Sequence, residues 1–158
     1  MSTDPEHRPP HAVDITMDDV WAVLDFLTPR LESQERAHGS GTDEHRAASA
    51  LYEAVCMFAL IIEAEIRGPL TGCVRNPSGR PPAPAPTPTE SERIAKERLR
   101  LTRIKEYWNQ LCAVVEMWRE SDGYDLARWQ RASFLDAAAE AEYQRHVAEA
   151  GLRKATRP

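Results

Sequence analysis

Reactive motifs are missing from this chain. It has no G-x-S-x-G, no phosphate-cradling glycine loop and no H-E-x-x-H. The usual sequence signs of a serine hydrolase, a P-loop nucleotide enzyme and a helix-borne zinc site are therefore absent. Cysteine is scarce: Cys56, Cys73 and Cys112 are odd in number and have no C-x-x-C spacing. That argues against a disulfide framework and for a reducing, cytoplasmic setting. Apolar runs are short. The longest, residues 54–62, falls well below the roughly 20 residues of a membrane span, so no membrane partner is expected. Residues 1–11 are polar and contain Pro9 and Pro10, unlike a signal peptide. Lysine is nearly absent, at 3 against 17 arginines. With abundant Ala and Pro, that bias has the look of GC-rich bacterial coding and says nothing about chemistry.

What is present favours helix. The 158 residues are 42% apolar, enough for one domain with a real core. Ala, Glu, Arg and Leu dominate while Val, Ile and Thr are sparse, a balance that suits helices rather than strands. The net charge of −5 implies no particular partner. It is unevenly spread: residues 1–68 carry −8, residues 69–89 carry +2 and residues 90–158 carry +1. The acidic first half can dock on the second, or both can simply be solvated helix faces.

Periodicity predicts an all-α protein: four main helices in two hairpins, packed as an irregular bundle and joined by a Pro-rich linker. Residues 1–14 and 151–158 are expected to be disordered tails. Hairpin 1 spans 15–67. Its first helix starts at Thr16, which forms a capping box with Asp19, and Ile15 and Val20 are placed as a hydrophobic staple. Pro29 predicts either a kink or a fresh helix start there. The second helix, capped by Thr42 and stopped by Gly68-Pro69, is apolar nearly all round from Leu51 to Ile62, so it is expected to be the buried central element. Residues 68–89 hold seven prolines and read as an extended linker. Hairpin 2 spans 90–150. Thr89 and Glu92 cap its first helix, whose seam comprises Ile94, Leu101, Ile104, Trp108, Leu111, Val115 and Trp118. An Ala-rich helix is expected from about Asp125 to Ala150.

Candidate sites are few. On the third helix Arg93, Lys96, Arg100 and Arg103 share one face. Such a stripe can follow a phosphate backbone, dock on an acidic partner or pair with the chain's own acidic helices. Glu32, Glu35 and Glu63 resemble the carboxylates with which all-α nucleotide pyrophosphohydrolases hold Mg²⁺. However, that family's E-x-x-D motif is absent from the second helix, and a solvated acidic face explains these residues as well. His7 and His11 are four residues apart but lie in the expected tail, and on the predicted helices only Glu142 and His146 stand one turn apart. Cys73 lies in a loop two residues from Arg75, which could lower a thiol pKa, but it has no partner His in view. Trp108, Trp118, Trp129, Tyr107 and Tyr124 suit core packing. No cofactor, metal or small-molecule ligand is implied.

The stretch Leu111-Cys112-Ala113 through Trp118-Arg119-Glu120-Ser121-Asp122-Gly123-Tyr124 to Trp129 resembles the C-terminal part of a family of short, uncharacterised helical proteins of streptomycetes and related actinobacteria. That family has an aromatic-terminated helix, a His-Pro-Asp-Tyr turn and then Trp. This chain lacks the His-Pro pair. The resemblance implies an actinobacterial host or its mobile elements and no activity. Together these observations lead to the expectation of a non-enzymatic helical interaction or accessory protein that binds a protein partner or itself. A nucleic-acid accessory protein and a metal-dependent hydrolase are the alternatives.

Overall fold

A computed structural model describes residues 10–68, 86–133, 145, 148 and 149. Three long helices dominate it: α1 (Met17–Ala37), α2 (Asp43–Arg67) and α3 (Glu90–Val115). Short 3-10 turns at Ala12–Asp14 and Glu116–Trp118 flank them. Among the described residues the only strand-like feature is one bridge between His11 and Ser133. The all-α class is therefore established: among the described residues there are three long helices, and residues 145, 148 and 149 are also helical.

Each helix begins where a side-chain oxygen can take up an orphan backbone N–H. Thr16 Oγ1 accepts from Asp19 N, and Asp19 returns the bond to Thr16 N at 2.9 Å. Thr89 and Glu92 make the same reciprocal pair, with Thr89 N donating to Glu92 Oε2 at 2.7 Å. Thr42 caps α2 through His45 N. Such caps are each worth about 1 kcal/mol. Gly68, at φ 77°, ends α2 with a backbone angle that side chains resist. Pro29 neither breaks nor restarts α1, which runs unbroken through it. The next residue, Arg30, ties α1 to the turn that follows α3: its Nη1 donates to Phe26 O at 2.7 Å and its Nη2 to Asp122 O at 3.0 Å.

α2 packs antiparallel against both neighbours. His45 Nδ1 lies 3.0 Å from Glu35 O at one end of α1, and Arg67 stands over Trp21 at the other. Toward α3, Phe58 meets Tyr107 and Glu65 meets Arg103. α1 and α3 touch each other only briefly, so they form a wedge. Two irregular segments fill that wedge, where a fourth helix was expected to begin. Residues 119–133 run back along it, and Trp108 Nε1 donates to Gln130 O at 2.8 Å. Asn109 clips Ala132 by donating to its carbonyl and accepting from its N–H. Ala12 N donates to Ser133 O, and Ser133 N to Pro10 O.

This corrects two expectations. Residues 10–14 are not a free tail, because Ala12 and His11 are buried against Ser133. Helix does not begin at Asp125, because residues 125–133 are turns and extended chain. The tryptophan side chains decide this: Trp129 reaches the core beside Phe26, 4.8 Å between ring centroids, and Tyr124 closes the cluster at 5.3 Å from Trp129. Residues 1–9, the linker residues 69–85 with Cys73, and most of 134–158 with Glu142 and His146, lie outside the described residues.

Candidate interaction surfaces

Two surfaces remain open once the core is closed. The first is a cleft of about 620 Å³ between the C-terminal end of α2 and the N-terminal half of α3. Arg93, Lys96, Arg100 and Arg103 all line it, with Ala64, Leu99 and Pro88 as apolar wall. The structure thus brings the four predicted cations together, but it brings carboxylates with them. Arg100 grips Glu97 through Nε at 2.9 Å and Nη2 at 2.7 Å, and its Nη1 donates to Glu65 O at 3.2 Å. Arg103 pairs with Glu65 at 2.9 Å, and Arg93 with Glu90 at 3.5 Å. Arg100 is the main cause of the lowered Glu97 carboxyl pKa, which partial burial opposes. Glu97 in turn raises the Arg100 pKa further. A cleft whose guanidinium groups are already met by the chain's own acids has little cationic field left for a phosphate backbone.

The carboxylate trio does not assemble. Glu32 pairs with Arg36 at 3.5 Å, Glu35 accepts a short hydrogen bond from Ser49 Oγ, and Glu63 pairs with Arg67 at 2.9 Å. Glu63 stands about 21 Å further along α2 than Ser49, at about 1.5 Å per residue. Facing helices put Glu32 and Glu35 at one end of the α1–α2 pair and Glu63 toward the other. Among the described residues no three His, Cys, Asp or Glu side chains converge. Cys112, the buried thiol, is inert as a nucleophile: burial pushes its pKa up to about 12, and Sγ donates toward Gln130 O at 3.6 Å.

The second surface is one the sequence reading placed inside. α2 buries Ala48, Val55, Ala59 and Ile62 toward its neighbours, yet Met57 is 55% and Leu60 58% exposed. Ala50 and Ala64 are exposed beside them, and Trp21 of α1, 46% exposed, extends the patch past Arg67. α1 and α3 both sit on one side of α2 and leave its back bare. The expectation of a helix covered all round is thereby corrected: being central in the bundle is not the same as being enclosed. α2 is also the one helix among the described residues long and apolar enough, by length and composition, to cross a membrane. Glu53 falls inside its apolar stretch and Glu63 directly follows it, where hydrocarbon would penalise both. Ile94, placed on the α3 seam, is likewise 44% exposed. The first turns of α3 extend beyond the body, and every residue from Glu90 to Glu97 is exposed.

Sequence reasoning also missed the ion pair of Asp19 with Arg128, 3.0 Å across the wedge. Only the fold joins residues so far apart in the chain. Burial opposes ionisation of Asp19, but hydrogen bonds from Thr16 and Arg128 outweigh it and hold the carboxyl below its ordinary pKa. No family model, curated protein or solved structure matches this chain.

Proposed function

We propose that this chain is a non-enzymatic helical interaction protein that presents the outer face of α2 to a protein partner. One observation carries the reading. Met57 and Leu60 project from a helix whose other side is well packed, and exposed Trp21 of α1 stands beside Arg67 at the C-terminal end of the same face. Aromatic and methionine side chains exposed in one patch are the usual anchors of protein interfaces. The separate thiols of Cys56 and Cys112 accord with a reducing cytoplasm, and the actinobacterial resemblance with a bacterial host. The nucleic-acid reading, carried by Arg93, Lys96, Arg100 and Arg103, has less support because Glu65, Glu90 and Glu97 already engage the arginines. The hydrolase reading has less still, given how far Glu63 lies from Glu35.

A photoreactive amino acid placed at Leu60, in cells that make the protein, tests the proposal. The expected result is a discrete protein adduct at Leu60 and none from the same probe at exposed Arg36. Absence of an adduct at Leu60, or equal labelling from both sites, overturns it.

A further inference from the structure

The bare face of α2 has the spacing of a seam built for another helix. Ala50, Glu53, Met57, Leu60, Ala64 and Arg67 follow one another in alternating steps of three and four residues, and all six are exposed. This is the a/d repeat by which a helix shows one narrow stripe to a partner. The stripe runs about 26 Å, at about 1.5 Å per residue. Met57 and Leu60 fill its middle. The small Ala50 and Ala64 toward its ends let a second backbone come close.

The order of charge along the stripe identifies the occupant and its direction. Glu53 lies toward the N-terminal end of the stripe and Arg67, which also pairs with Glu63 on its own helix, at the C-terminal end. Two copies laid parallel would set Glu53 against Glu53 and Arg67 against Arg67. Laid antiparallel, about a two-fold axis between Met57 and Leu60, the stripe complements itself. Met57 meets the partner's Leu60, and Glu53 meets the partner's Ala64, one turn from the partner's Arg67. The same set of contacts then occurs twice, as a two-fold interface requires. Trp21, beside Arg67, and Leu99, across the cleft from Ala64, widen the patch on its two flanks.

We infer that this chain forms a two-fold dimer by antiparallel pairing of the α2 seams. The inference rests on the outer face of α2 being the docking surface, and it names the occupant as a second copy. A stable interface buries about 800 Å² per partner. One helix pair of this length with two flanking side chains falls toward the small end, so the dimer is expected to dissociate on dilution into the micromolar range.

Light scattering of the full chain across a concentration series provides the test. The mass is expected to rise from 17.8 kDa at high dilution toward twice that value. Leu60→Glu is expected to hold the chain at the monomer mass with its helical circular dichroism unchanged. Direction is tested by charge reversal. Glu53→Arg alone and Arg67→Glu alone should each weaken self-association at least tenfold, because each brings like charges together twice. Mixing the two variants should restore the dimer, because both contacts then become Arg–Glu pairs. A wild-type monomer at every concentration overturns the inference, as does a dimer untouched by Leu60→Glu or a mixture that fails to recover. A monomer that instead floats with anionic lipid vesicles overturns it in favour of a membrane surface. In the monomer case, a photoadduct of Leu60 with a different protein leaves the proposed function standing.

Discussion

On the inner side of α2, the wedge between α1 and α3 is packed by two irregular segments tied in by backbone hydrogen bonds, although Trp129 Nε1 is buried there without an acceptor among the described residues. Trp108 is fully enclosed and also hydrogen-bonded, Asn109 holds the Ala132 backbone at both ends, and Phe26, Tyr124 and Trp129 meet edge to face or tilted. On the outer side, Met57 and Leu60 are as apolar as anything in the wedge, yet more than half of each is exposed. The contrast teaches that apolar character alone does not decide burial. The wedge is closed because the chain returns through it with backbone donors and acceptors at the right places. No described segment returns over the back of α2, so its stripe remains available to a partner.

Truncating a large side chain on each side measures that contrast. Trp108→Ala is expected to have the largest effect, a loss of about 3–5 kcal/mol, because it opens a cavity and leaves the Gln130 carbonyl with only the weak Cys112 thiol as donor. Denaturant unfolding with an unchanged slope checks it, and a loss under about 1 kcal/mol would show that the wedge is loosely packed. Asp19→Ala comes next, at about 1–2 kcal/mol, since it removes the carboxylate half of the α1 capping box and the tie to Arg128, while the Thr16 cap itself remains. Its pH dependence has a definite sign. The folded-state pKa of Asp19 is lowered, so the contribution is complete above the ordinary carboxylate range and fades as pH falls through the lowered value. Thermal melts of wild type and variant should therefore converge toward strongly acid pH; a constant gap would assign the effect to packing instead. The smallest change is expected from Leu60→Ser, within about 0.5 kcal/mol at dilutions where the chain is monomeric. A cost near that of a core leucine would mean that something already covers this face.

Several features were legible from local chemistry. Thr16, Thr42 and Thr89 mark the three helix starts correctly, since a cap depends only on residues within one turn. The α3 seam from Leu101 to Val115 is buried or half-buried as its spacing predicts. The four cations of α3 do share one cleft. Their pairing with Glu65 could not be read from spacing, because Glu65 belongs to another helix and its register on α3 is set by the Phe58–Tyr107 contact. Ile94 continues the seam in sequence but overhangs the body, where α2 has already ended at Arg67.

By itself the sequence determined the helical class, the helix starts and the apolar stripe of each helix, because propensity, capping and periodicity act within a few residues. Only the tertiary structure decided that residues 119–133 fill the wedge as irregular chain, that Asp19 joins Arg128, and that both neighbours of α2 lie on one side of it. Those outcomes depend on which stripes meet and at what angle, and the angle between α1 and α3 is a property of the assembled bundle that no single segment encodes.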